Sequence, residues 1–311
     1  TAQNRDENTD TNGKQSITLT KLYFTAKTDV ATVMVGKQKQ PTPFLDDNRG
    51  DGIVALVPAG PVTVAAGYFS GMNGGAKTAD ATKNYSPINL NLEERDIAAL
   101  AVIGTFGPVN ANLWYLNSTD AGADVMAAGI IPTNTIEHGL SGYSLGLSGK
   151  FGPVNVDFNH ASIELDAAAG VNVDNESLTK VVVSGKAGAV NLIAGYGMTN
   201  DNAYDVRNHG VDLTADDDAK TNFRLDQIVL DQYNDADALL LGASMTFGQT
   251  TVGASYLMAT ANDYVGTTDL DATELDLTVS YAMSKNFSIT GLYADTEADL
   301  AGTVAVDTQI M

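Results

Sequence analysis

One ten-residue pattern recurs along the chain and limits the folds open to it more than any other feature. It reads FGPVNVDFNH at 151–160, with relatives FGPVNANLWY at 106–115, AGPVTVAAGY at 59–68, AGAVNLIAGY at 187–196 and FGQTTVGASY at 247–256. A looser copy, SKNFSITGLY, lies at 284–293. Each opens on a turn-forming pair, alternates through small and β-branched residues, and closes on an aromatic. The aromatic keeps one offset from the turn: Gly60 to Tyr68, Gly107 to Tyr115, Gly188 to Tyr196, Gly248 to Tyr256 and Lys285 to Tyr293. Only the copy at Gly152 departs, with His160 in that place and Phe158 two residues before it. An even offset puts the aromatic on the same strand face as the Val and Leu positions between. Eight residues at ~3.3 Å each, tilted by ~40°, cover roughly 20–25 Å, the height of the apolar band of an outer-membrane barrel. The spacing between copies is too irregular for a solenoid or propeller. The unit is a hairpin used repeatedly.

The strands between these turns alternate clearly. Val154, Val156 and Phe158 oppose Asn155, Asp157 and Asn159, and Leu275, Leu277, Val279 and Tyr281 oppose Glu274, Asp276, Thr278 and Ser280. Leu239, Leu241, Ala243, Met245 and Phe247 form one face of 239–247, interrupted by Leu240. Thr179, Val181 and Val183 oppose Lys180 and Ser184. A soluble sandwich shows the same alternation with its apolar face inward, so alternation alone does not say which face meets water.

Connection lengths decide more. Strands are expected at 16–27, 30–38, 52–57, 61–70, 95–106, 108–117, 141–151, 153–164, 177–187, 189–199, 237–247, 249–260, 272–283, 286–296 and 303–311. Between them tight turns alternate with longer loops at 39–51, 71–94, 118–140, 165–176, 200–236, 261–271 and 297–302. Turns at one end and loops at the other describe an up-and-down barrel with periplasmic turns and extracellular loops, whereas a Greek-key sandwich mixes the two. The fold expected is an all-β, transmembrane antiparallel barrel, one domain over 1–311. The first and last strands both run so that an odd number of strands is expected before Thr1, which makes sixteen to eighteen in all for an even-stranded barrel. The final Gln309-Ile310-Met311 lacks the aromatic expected at a barrel C-terminus, so both ends read as incomplete.

Composition agrees. Formal charge is −21, from 38 acidic and 17 basic residues, which argues against nucleic acid and suits cations or a solvated acidic surface. There is no cysteine, hence no disulfide framework and no thiol chemistry. No apolar run is long enough for a membrane helix, which leaves open a barrel whose strands are half polar. Catalysis has little support: His138, His160 and His209 lie far apart, and no nucleophile elbow, P-loop or dinucleotide motif occurs.

Segment 16–58 carries a resemblance. Leu22–Thr32, then Gly36-Lys37-Gln38, Phe44 and Asp47-Asn48-Arg49-Gly50-Asp51-Gly52 resemble the Campylobacter-type major outer membrane porin family, in which a strand and turn lead to a GKQ segment, an aromatic and a DN-x-x-DG loop. The resemblance implies an eighteen-stranded, usually trimeric porin of a Gram-negative outer membrane, with a third loop, here 71–94, folded into the lumen. It also implies calcium on pore carboxylates, carried over at Asp51. Departures are Phe44 where the family often has Trp, alanine-rich strands, and no match for the other calcium-binding acids.

Candidate sites follow from these readings. Asp46-Asp47-Asn48-Arg49-Gly50-Asp51-Gly52 gathers carboxylates on a flexible turn, as a hard cation requires. It lacks the spacing of an EF-hand, and a solvated acidic loop is the alternative. Asp47 and Asp51 are the candidate calcium ligands; no cofactor is required. The loop 71–94, with Lys77, Asp80, Lys83, Glu93 and Glu94, is the expected lumen constriction, the alternative being a surface loop. Arg49, Asp157, Glu164, Lys180, Glu274 and Asp276 are expected to line the lumen, since charges this numerous are costly to bury dry. The stretch 200–237 holds ten Asp and no Glu; at a pore mouth it would concentrate cations. Phe106, Phe151, Phe247 and Phe287 mark the turn end, and Tyr68, Tyr115, Tyr196, Tyr256, Tyr281 and Tyr293 the loop end, as two interfacial girdles would. Together these point to a weakly cation-selective diffusion channel for small hydrophilic solutes and ions, embedded in a lipid bilayer, and the resemblance implies that it is a homotrimer. An acidic surface-layer or adhesin-like β-protein is the alternative.

Overall fold

The structure, a computed structural model, describes residues 21–39, 42–44, 49–73, 96–118, 140–165, 175–200, 223–230, 233, 235–265, 268–300 and 303–310. These form one antiparallel sheet of fifteen strands in which every neighbour in sequence is a neighbour in space. In order they are β1 (Leu22–Lys27), β2 (Thr32–Lys39), β3 (Arg49–Ala59), β4 (Val62–Asn73), β5 (Asp96–Phe106), β6 (Val109–Ser118), β7 (Leu140–Phe151), β8 (Val154–Leu165), β9 (Glu176–Ala187), β10 (Val190–Thr199), β11 (Ala236–Phe247), β12 (Thr250–Val265), β13 (Thr268–Ser284), β14 (Phe287–Leu300) and β15 (Thr303–Ile310). Each lies where the alternation places it.

Five of the tight turns share one construction. Gly60, Gly107, Gly152, Gly188 and Gly248 have φ between 61° and 65°, and the residues flanking each two-residue turn pair directly, as in Phe151 with Val154. Glycine first with positive φ is the type II′ signature, whose twist matches that of the strands. Nothing lies within 4 Å of a Cβ built on any of the five, so the backbone alone demands glycine there.

The two faces of the sheet differ completely. One carries large apolar side chains in the open: Val181, Leu192, Leu239, Leu241, Val279 and Ile289 are 37–56% exposed. On the other face, residues of β4, β5, β6, β8, β9, β11, β12 and β13 join one buried cluster with Phe44, Phe223, Ile228 and Leu230 from the connecting segments. An apolar belt turned to the surroundings, around an interior that collects residues from most strands, is the inverse of a water-soluble sandwich.

Two loop-side expectations change. Strands β12 and β13 continue to Val265 and Thr268, and β14 and β15 to Leu300 and Thr303, so 261–271 and 297–302 are mostly ladder. Their outer positions hold Asp271, Asp295, Glu297 and Asp299, whose polarity reads as loop although the backbone pairing carries on beyond the apolar belt. Tyr281 also moves: it pairs with Thr250 beside the turn at 248–249, and its hydroxyl donates to Gln249 Oε1 at 3.0 Å. It belongs to the turn-end girdle.

Candidate functional site

The girdle sits where the offsets require. Phe106, Phe151, Phe247 and Phe287 are 51–57% exposed at the turn end, and Tyr68, Tyr115, Tyr196 and Tyr256 are 38–48% exposed toward the loop end. Tyr293 is half-buried on the same face. Two of the tyrosines find carboxylates at the polar edge, Tyr68 donating to Asp96 and Tyr196 to Asp237 Oδ1 at 3.0 Å. A ring against apolar surroundings with a hydroxyl reaching polar groups is what an interface selects. At the irregular copy, His160 lies against Tyr143, with ring centroids 5.7 Å apart and Nε2 3.2 Å from the hydroxyl, and its Nδ1 is 2.7 Å from Thr179 Oγ1. Tyr143, 45% exposed and paired with Tyr115, supplies the missing girdle aromatic.

The interior divides along the strand axis into a wet and a dry half. Toward the turns the inner positions are solvent-accessible and mostly neutral and polar: Thr105, Asn110, Asn155, Ser184, Asn191 and Thr246. Several bond one another across strands, as Thr105 Oγ1 to Asn110 Oδ1 at 2.8 Å and Asn191 Nδ2 to Ser244 Oγ at 3.3 Å. Among these positions stand Lys150, Asp157 and Lys186, on the face opposite the apolar belt, whereas Lys180 shares that face farther from the turn, in register with Asn159 and Gly197. Toward the loops the inner positions are apolar and closed: Ile97, Trp114, Leu116, Leu178, Leu240 and Leu257 are at most 9% exposed.

Phe44 joins these residues in one cluster near Gly142 of β7, and over β10 to β13 the cover is a small hairpin, Phe223–Leu230, between β10 and β11. Arg224 bridges Val229, Leu230 N donates to Phe223 O at 2.9 Å, and Leu225 N to Ile228 O at 3.1 Å. Phe223 and Leu230 fill space that β10 leaves empty: a Cβ on Gly197 would stand 2.7 Å from the Phe223 ring and 2.8 Å from Leu230 Cδ2, and one on Gly195 2.9 Å from Phe223. At the hairpin tip, Glu274 of β13 accepts the backbone N–H groups of Asp226 and Gln227 on Oε1, at 2.9 and 2.7 Å, and that of Ile228 on Oε2, at 2.7 Å. Consecutive N–H groups turned toward one carboxylate form an anion nest, and it lets a fully buried Glu274 remain in a dry interior.

This revises the lining expected from sequence. Glu274 and Asp276, 0% and 8% exposed, lie beneath the hairpin instead of facing open water, because the hairpin covers that stretch of β13. Asp157 and Lys180 are on the inner face, whereas Glu164 is exposed near the loop-side end of β8. Asp51 and Arg49 share the row of Ile53, directly opposite Lys37 and Lys39 in register, and Arg49 Nε is buried without a hydrogen-bond partner. Lys37 is thus the cross-strand neighbour of Asp51, and among the described residues no group of three or more His, Asp or Glu side chains gathers as a metal site. Asp47, Lys77, Asp80, Lys83, Glu93 and Glu94 lie outside the described residues.

Two signals in the sequence mark the dry half. Alternation fails on the loop-side halves in Leu239-Leu240-Leu241, Leu113-Trp114-Tyr115-Leu116 and Tyr256-Leu257-Met258, as it does where both faces are apolar. The other is the apolar Phe223–Leu230 run inside an otherwise acidic loop.

Comparison with known proteins agrees with the architecture. The sequence model of the Gram-negative porin family matches residues 2–301. No curated protein sequence is significantly similar to the chain. Among solved structures, the chain is similar to Pseudomonas aeruginosa OpdQ, at 12% identity and a TM-score of 0.63 over 93% of this chain and 81% of that one. It is similar to OccK5 (OpdH) and OccK8 (OprE) of the same organism, at 12% identity and TM-scores of 0.62 and 0.61, each over 93% of this chain and 79% of the other. At such identity the likeness is one of fold, that of outer-membrane porin barrels.

Proposed function

The chain belongs to the Gram-negative porin family, and on that premise we propose that it is a general-diffusion channel passing small hydrophilic solutes and ions with weak cation preference. As a porin it resides in the outer membrane and is a channel, not an enzyme. One observation carries the general-diffusion reading. The wet half of the interior is lined by neutral hydroxyl and amide side chains such as Thr105, Asn110, Asn155, Asn191 and Thr246, which offer hydrogen bonds to any hydrated solute without fixing one geometry.

The cation preference rests on charge placement. Asp96, Asp237, Asp271, Asp295, Glu297 and Asp299 stand at the loop end, and the net charge is −21, so the outer mouth raises the local cation concentration. Lys27, Lys150, Lys186 and Lys285 stand beside four of the turns and oppose it at the other end, which keeps the preference weak. The 71–94 loop as a further constriction, a homotrimeric assembly, and a place near the Campylobacter-type porins on the strength of 16–58 belong to the same proposal. Planar-bilayer recording in a salt gradient tests it. Conductance with a reversal potential on the cation side supports it, and absence of conductance or anion preference overturns it.

A further inference from the structure

We propose that the Phe223–Leu230 hairpin is a seated constriction of this channel and that Glu274 is the positioning residue that holds it against the wall. The proposal rests on the channel reading above. Its geometric basis is that the hairpin is attached in two different ways. Its root is fitted sterically: Phe223 and Leu230, 3% and 0% exposed, occupy the notch at Gly195 and Gly197. Its tip is held by chemistry, through three backbone N–H groups on one buried carboxylate. Other attachments lie at the root side, where Thr199 Oγ1 donates to Tyr233 O at 2.8 Å and Asp235 N to Asn200 O at 3.0 Å. The tip is the part that reaches β13, three strands from β10 in the sheet order, and so the part that extends over the inner wall away from the root.

The charged surroundings of the tip explain why one acceptor matters. Asp226 belongs to the hairpin itself and takes a bond from Gln227 Nε2 at 2.6 Å. Asp276 follows Glu274 on the inner face of β13, and its Oδ1 is buried without a hydrogen-bond partner. Arg224 Nε donates to Leu225 O at 2.9 Å. Of the carboxylates gathered here, Glu274 receives three consecutive tip N–H groups, while Asp276 interacts with the Asp226 backbone alone and with the Glu274 side chain. Glutamine at 274 keeps the size, but its amide nitrogen is a donor. Whichever way it is turned, one of the two positions now occupied by carboxylate oxygens presents a donor to a donor.

Glu274→Gln therefore unseats the tip while leaving the strand ladder and the Gly195–Gly197 notch intact. In bilayers the expected result is a single-channel conductance raised by roughly 1.5- to 2-fold, because the hairpin no longer narrows the water-filled path. A second readout does not depend on pore size. The chain has no cysteine, so Ile228→Cys, at a tip position 3% exposed, places a unique thiol there, and a small charged methanethiosulfonate added to the assembled channel reports its exposure. Modification is expected to be at least ~10-fold faster in Ile228→Cys/Glu274→Gln than in Ile228→Cys alone, since local opening sets access to a covered site. If the wild-type protein conducts while Glu274→Gln changes neither conductance nor labelling rate, the latch is refuted and the channel reading stands. If the wild type does not conduct, the channel reading falls first.

Discussion

The sharpest test of the outward-facing belt uses one strand and three neighbouring residues. Leu241 is 46% exposed and Leu240 7%, so adjacent leucines of β11 face opposite sides. From Leu241 to Phe247 at the turn-end girdle, ~3.3 Å per residue with ~40° of tilt gives ~15 Å, about the middle of a ~30 Å hydrocarbon core. Arginine at that depth on the lipid face costs about 2–4 kcal/mol, roughly a 30- to 1000-fold loss in the folding equilibrium. Ser244→Arg, on the same strand and facing the wet interior, is expected to cost under ~1 kcal/mol because the guanidinium reaches water. Leu240→Ala opens a cavity beneath the hairpin and is expected to cost about 2–4 kcal/mol. All three are read from reversible urea unfolding of the protein inserted in phospholipid vesicles. A Leu241→Arg cost below ~0.5 kcal/mol, or one no larger than that of Ser244→Arg, would refute the assignment of faces. The comparison between substitutions carries the test, since most errors in the unfolded reference are shared by variants of one strand.

Other consequences are independent of that test. Lys150→Glu combined with Lys186→Glu removes the opposition at the turn end and is expected to move the reversal potential in a salt gradient further toward that of the cation, an effect that shrinks as salt rises; an unchanged potential would show that these lysines lie outside the conducting field. Gly152→Ala, at φ 64° with no atom near the added methyl, is expected to cost about 1–2 kcal/mol in vesicle unfolding from backbone strain alone, with conductance unchanged. Gly197→Ala drives a methyl to 2.7 Å from the Phe223 ring, so it is expected to displace the hairpin root and raise conductance without altering the apolar belt, and wild-type conductance would show that the notch does not set the hairpin.

Most of the fold was legible because bilayer thickness imposes one repeated constraint. A strand crossing it needs apolar residues at every second outer position, an aromatic near each interface and a turn at the end, and the sequence from Gly188 to Tyr196 displays all of these locally. The loop ends of β12, β13 and β14 were less legible, because acidic outer positions there carry neither the apolar alternation nor a turn signal. The interior was legible only in part. Asp157 and Lys180 follow from parity along a strand, but the covering of Glu274 depends on a segment that starts 51 residues earlier, at Phe223 (274 − 223), and no periodicity joins the two.

Strand β10 shows why the two faces write such different sequences. Tyr196 faces out, and its neighbours Gly195 and Gly197 face in. The tyrosine meets a surface that is the same all round the barrel, so any strand can fulfil the requirement alone, and the solution recurs. The glycines meet Phe223 and Leu230 at distances that would leave no room for a Cβ, a requirement set by one partner and used once. Glycine inside a strand lowers its stability, and two of them flanking a girdle tyrosine lie where no turn or positive φ calls for them. Unlike Gly146, Gly242 and Gly253, whose nearest atoms belong to adjacent strands, these two meet a segment seated from the inside. A pair of missing side chains on the inner face, flanking an intact outer tyrosine, is here the local trace of a distant segment seated against the wall. It is the kind of trace by which inserted segments can be sought in other barrels whose outer faces look alike.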